Sequence, residues 1–140
     1  MELSLNLSEK EKFELKASCN FITYNKIELF VVNFYEAFLK PETLKFLQQN
    51  SNESLINMFT SFLNIIFLYL DDSTFVDEQI SALLSKHPHF KDMMKFSNIF
   101  DEAVIKALQK TLGSSFTDVL EKIWFKTVTT FVIYFQSKLA

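Results

Sequence analysis

Apolar residues recur at helical spacing along almost the whole chain, and almost nothing interrupts them: the 140 residues include one glycine and two prolines. Successive stripes are Ile27, Phe30, Val31, Phe34 and Phe38; Leu55, Met58, Phe59, Phe62, Leu63 and Ile66; Ile80, Leu83, Leu84 and His87; Phe100, Ala103, Val104, Ala107 and Leu108; and Phe116, Leu120, Ile123, Trp124, Val128, Phe131 and Phe135. Spacings of three and four residues place each set on one helical face. No run alternates as a half-buried strand would. The pattern predicts an all-α domain of six or seven helices, and 140 residues make one domain, 1–140, with a real core.

The punctuation sets the boundaries. Ser8-Glu9-Lys10-Glu11 reads as a capping box that opens a first helix running to about Ile22. Pro41 ends the Ile27–Phe38 stripe and suits the first turn of a short helix over 41–46. Gln48 to Asn52 reads as a polar loop. Asp71-Asp72-Ser73-Thr74 ends the Leu55–Ile66 stripe and caps the next helix. Pro88 disfavours helical dihedrals at His87, so that helix should stop there. Leu112-Gly113 is a helix stop, and Ser114 or Ser115 can cap the last helix. The acidic pairs Asp71-Asp72 and Asp101-Glu102 read as helix starts favoured by the macrodipole.

Composition removes several function classes. A single glycine forbids a glycine-rich phosphate loop. Cys19 is the sole cysteine, which excludes a disulfide framework and a CxxC metal site and points to a reducing, cytoplasmic setting. A net charge of −3 and the lack of a basic stripe argue against nucleic acid. The greasiest runs, Phe62–Leu70 and Trp124–Phe135, carry Asn64 and Lys126 and are too short or too polar to span a bilayer. The N-terminus lacks a secretory pattern. Nothing suggests Ser-His-Asp or Cys-His catalysis. Phenylalanine occurs 17 times, which fits either biased base composition or a core built around a large flat apolar ligand. The excess also leaves room for an exposed patch that supports a homodimer.

His87 carries most of the remaining chemistry. It continues a buried stripe, where a histidine is either a satisfied core residue or a metal or cofactor ligand. His89 lies past Pro88 and off the stripe.

Five segments stand in a telling order: Asn-Phe-Tyr-Glu-Ala-Phe at 33–38, Lys-Pro-Glu-Thr-Leu-Lys-Phe at 40–46, Asn-Glu-Ser-Leu at 52–55, Leu-Leu-Ser-Lys-His at 83–87, and Leu112-Gly113 followed by Trp124. In their order and spacing the chain resembles the globins, above all bacterial single-domain haemoglobins and the globin domain of flavohaemoglobins. The resemblance covers nearly the whole chain and implies a globin fold around haem b, with His87 as iron ligand. Phe46, or Leu47 by strict counting, would pack on the haem, with Phe62, Ile66, Leu83 and Leu84 lining the pocket. Tyr35, Asn57 and Met58 are the distal candidates; a register shift would put Phe34 in the place of Tyr35.

The implied function is reversible binding of dioxygen or nitric oxide. Nitric oxide dioxygenation would require a separate reductase, because the chain has no flavin or nicotinamide domain. The tyrosine and glutamate that strengthen the proximal imidazole in flavohaemoglobins look like Ser97 and Leu139 here, which weighs against peroxidase-like chemistry. The alternative implied by the resemblance is a haem-free globin-like sensor or interaction module, as in some stress-signalling and light-harvesting relatives.

Overall fold

In the computed structural model, which describes residues 2–48 and 50–139, Ser8 opens the first helix by a reciprocal capping box. Its hydroxyl accepts from the Glu11 N–H at 3.1 Å, and the Glu11 carboxylate accepts from the Ser8 N–H at 2.9 Å. Helix α1 (Glu9–Phe21) continues through a wide π-helical turn at Ile22–Lys26 into α2 (Ile27–Phe38). Then follow α3 (Leu44–Gln48), α4 (Asn52–Tyr69), α5 (Val76–Lys86), α6 (His89–Met93), α7 (Ser97–Leu112) and α8 (Asp118–Lys138). The fold is all-α, and no strand occurs among the described residues. No helix of those residues is long and apolar enough to cross a membrane.

Most boundaries fall where the local chemistry puts them. Helix α5 ends at Lys86 and His87 leaves helical dihedrals (φ −131°, ψ 71°), as Pro88 requires. Gly113 ends α7 at φ 56°, a conformation open to glycine at little cost. Four details differ from expectation. Pro41 lies in a turn, and α3 begins only at Leu44. The buried Thr43 side chain supplies the reason: its hydroxyl donates to the Phe38 carbonyl and accepts from the Lys40 N–H at 3.0 Å, so it holds the turn. Thr117, rather than Ser114 or Ser115, caps α8 by accepting from the Leu120 N–H at 3.2 Å, because Gly113–Ser115 is used in a 3₁₀ turn. Asp101-Glu102 lies inside α7 rather than at its start, because α7 already begins at Ser97. The loop expected from Gln48 to Asn52 is shorter, since Gln48 ends α3 and Asn52 begins α4; Gln49 lies outside the described residues.

Helix α2 packs mainly on α7 and also on α4; α8 packs on α7 and α1. The apolar faces meet in a centre made largely of phenylalanine. Phe100 on α7 stacks on Phe59 of α4 at 6.2 Å between centroids and an interplanar angle of 4°. It also meets Phe34 at 5.7 Å, Phe62 at 6.0 Å and Phe90 at 6.1 Å, each near edge-to-face. These geometries align the positive ring edge with a negative ring face. Trp124 joins α8 to α1: its indole N–H donates to the Ser18 hydroxyl at 2.9 Å, which donates in turn to the Leu15 carbonyl at 2.8 Å. Before α1, Leu3, Leu5 and Leu7 lie buried in alternation along an extended segment. Tyr69 and Lys126 fasten that segment by donating to the carbonyls of Leu3 and Asn6, at 3.1 and 2.6 Å.

Truncating the central ring should therefore cost far more than truncating an exposed one. Phe100→Ala is expected to lose about 3–5 kcal/mol in denaturant unfolding, against no more than about 0.5 kcal/mol for Phe125→Ala on the surface of α8.

Candidate functional site

The sequence placed its site at the end of α5, where two backbone hydrogen bonds hold the chain. The His87 N–H donates to the Leu83 carbonyl at 2.9 Å, and the His87 carbonyl accepts from the Phe90 N–H at 2.9 Å. The Pro88 turn between these bonds leads directly into α6. The imidazole is half-buried. No hydrogen bond from Ser85 or from a carbonyl of that turn holds either ring nitrogen among the described residues. Burial, helped by the neighbouring Lys86 charge, lowers its proton affinity below the ordinary histidine range. Burial therefore favours the neutral form of an imidazole that makes no side-chain hydrogen bond among the described residues. His89 is exposed, and it is His89, not His87, whose ring lies against Phe46, at 6.3 Å.

The proposed lining residues are mostly core. Phe46, Leu47, Phe62, Ile66 and Leu83 are buried, and Leu84 is half-buried. The distal candidates separate. Met58 is buried, Asn57 is exposed, and Tyr35 is half-buried at a surface groove of about 590 Å³ that it shares with Val32, Glu36, Leu47, Gln48, Asn50 and Asn52. The inward position on that turn of α2 belongs to Phe34, which stacks on Phe38 at 5.0 Å and meets Phe59 at 4.6 Å. The structure therefore brings Tyr35 and Leu47 together at a groove whose lining does not include His87.

Whether these residues fit a haem is a question of space. The macrocycle would need a flat slot between α4 and the α5–α6 segment. Phe62 of α4 lies 6.1 Å from Phe90 of α6, and both rings reach Phe135 of α8, at 5.8 and 5.2 Å. Phe59, Phe62, Phe90, Phe100 and Phe135 are at most 1% exposed. Rings at these separations are in contact. The centre is closed by its own side chains and does not fit haem in this arrangement.

A second polar position was missed by the sequence reading. Asp101 lies half-buried on α7, and its Oδ1 finds no hydrogen-bond partner among the described residues. Burial raises its pKa to about 6. It lines a groove of about 510 Å³ with Ile105, Gln109, Glu121 and Phe125. Helical register gave the clue: Asp101 lies between Phe100 and the buried Ala103-Val104-Ile105, near the edge of the face that α7 turns to its neighbours. No family model, no curated protein and no solved structure matches the chain.

The two perturbed groups give opposite pH dependences. Folded His87 binds its proton less well than the unfolded chain does. Stability contributed by His87 should therefore fall as pH drops below the ordinary histidine value of about 6.5, and His87→Gln should abolish that part of the slope in pH-dependent urea unfolding. Folded Asp101 holds its proton up to about pH 6, whereas the unfolded chain releases it lower. Its contribution should therefore decline as pH rises through that window, and Asp101→Asn should be more stable than wild type at neutral pH.

Proposed function

We propose that this chain is a haem-free, globin-like helical module that acts through contacts with other proteins rather than through gas chemistry. The observation that carries the reading is the closed aromatic centre, in which Phe62, Phe90 and Phe100 are mutually within about 6 Å where a macrocycle would otherwise lie. Support for the globin-like part comes from element order. A short helix follows α2, a long helix starts at Asn52, a helix stops at His87, and the last helix carries the buried Trp124. A helical module needs no catalytic group for such a role. Among the described residues no cluster of histidine, cysteine and carboxylate side chains is arranged to hold a metal ion.

One observation favours a second reading, in which haem b is bound through His87 and takes dioxygen or nitric oxide, with a separate reductase for any turnover. His87 sits at a helix end, where burial favours its neutral form, the form that ligates iron, and its ring nitrogens make no hydrogen bond among the described residues. For haem to enter, the Phe62 and Phe90 rings would have to part, with loss of their packing.

Haemin titration separates the two. The purified chain is expected to give no Soret band beyond that of free haemin, and no change on His87→Ala. A strong Soret band that vanishes in His87→Ala and survives in His89→Ala would establish the haem reading instead.

A further inference from the structure

The segment before α1 is attached to the domain through side chains. Leu3, Leu5 and Leu7 are buried while Glu2, Ser4 and Asn6 are exposed, the period of two that an extended chain shows when it lies on a surface. Residues 2–7 make no main-chain hydrogen bond among the described residues. Two side chains hold them instead. The Tyr69 hydroxyl at the end of α4 donates to the Leu3 carbonyl at 3.1 Å, and the Lys126 ammonium of α8 donates to the Asn6 carbonyl at 2.6 Å. The Tyr69 ring meets Phe131 of α8 edge-on at 5.4 Å, so the two helices that supply the donors are themselves in contact.

Both donors are aimed at main-chain carbonyls. Such bonds read the backbone and ignore which residues the bound segment carries, so selection falls to the apolar side chains at alternate positions. The three leucines sit at the margin of the core, each 9% exposed, whereas Phe131 and Phe135 of α8 are fully buried. Ser8 is already extended at φ −68° and ψ 165°, and its capping box closes within residues 8–11, so the segment can leave the surface without disturbing the start of α1. We propose that the face of α4 and α8 under residues 2–7 is a binding site for an extended segment of another protein, and that residues 2–7 are an internal occupant which such a segment displaces. The occupant shows what the site takes: aliphatic side chains at the first, third and fifth positions, polar ones between them, and free carbonyls at the first and fourth.

A tethered occupant competes at high effective concentration. Wild type therefore binds a free segment weakly, and the site opens when the tethered leucines lose their hold. The site rests on the reading of the chain as a module for protein contacts and names the kind of segment contacted. The two fail separately, because neither the leucines nor their two donors belong to the cluster of Phe59, Phe62, Phe90 and Phe100. A haem-dependent Soret band would overturn that reading without touching the site, and absent peptide binding would overturn the site without touching the closed aromatic centre.

Fluorescence anisotropy with labelled peptides on the full chain tests the site. The probes are Glu-Leu-Ser-Leu-Asn-Leu-Ser, the sequence of residues 2–8; Glu-Val-Thr-Val-Gln-Ile-Lys, unrelated but alternating; and Glu-Leu-Leu-Leu-Ser-Asn-Ser, the first composition without alternation. Leu5→Asp, which drives the tethered segment off, is expected to bind both alternating probes about tenfold more tightly than wild type does, and the third probe not at all. Adding Tyr69→Phe to Leu5→Asp should weaken binding several-fold, since one of the two carbonyl-directed donors is lost. In wild type, excess alternating probe should move the Leu3, Leu5 and Leu7 methyl resonances to the positions of a free chain, a readout that serves even where Leu5→Asp fails to fold. A folded Leu5→Asp that binds neither alternating probe, or binds the third equally well, overturns the site. So does binding of the residue 2–8 sequence alone, or leucine methyl resonances that stay in place at the highest probe concentration. Exchange of the segment between two copies, seen in ultracentrifugation as a dimer that neither alternating probe dissociates, overturns it as well.

Discussion

The structure depends on one crowded point, the Phe100 ring. It is held face-on by Phe59 and edge-on by rings from α2, α4 and α6. Four helices thereby meet at one side chain on α7, and the packing of each on the others follows from where its phenylalanine must stand. A centre made of rings is stiff, because each ring has few rotamers and the T-shaped contacts fix orientation as well as distance. The same stiffness decides what the molecule can hold. A side-chain cluster that satisfies itself leaves no apolar surface to offer a flat ligand, and the proposal of a module for contacts rests on that closure.

Much of the helical framework was legible in the sequence because its signals are local. The Ser8 capping box, the stop at His87 before Pro88 and the glycine at the end of α7 each need only a few neighbouring residues to act. The stripes also identified the buried residues of α2 and α4 except Asn33 and Ile65, but on α8 they missed Thr127, Val132 and Tyr134. Misplaced boundaries had local competitors. Thr43 closed a turn that delayed α3, and a 3₁₀ turn at Gly113–Ser115 passed the capping of α8 on to Thr117.

The candidate site was less legible, and the reason is geometric. Periodicity states which face of a helix is buried; it is silent on whether opposing faces touch or stand apart around a ligand. Phe62 reads the same in both cases, and only the position of Phe90, on a five-residue helix with no stripe of its own, decides between them. Register had the same effect at Tyr35. A shift of one residue exchanges a phenol for a phenyl ring at the centre, and the structure places Phe34 there. Asp101 was hidden because an acidic pair reads as a helix start, whereas α7 already begins at Ser97 and carries Asp101 past its first turn to the edge of the buried face.

The central claim concerns ring against ring in solution, and aromatic nuclear Overhauser spectroscopy reads it directly. In protein prepared with an excess of haemin, cross-peaks from the Phe100 ring to Phe59, Phe62 and Phe90 are expected at the same intensities and shifts as in protein prepared without it. Loss of those cross-peaks on adding haemin, with large paramagnetic shifts of the Phe62 and His87 resonances, would contradict a closed centre.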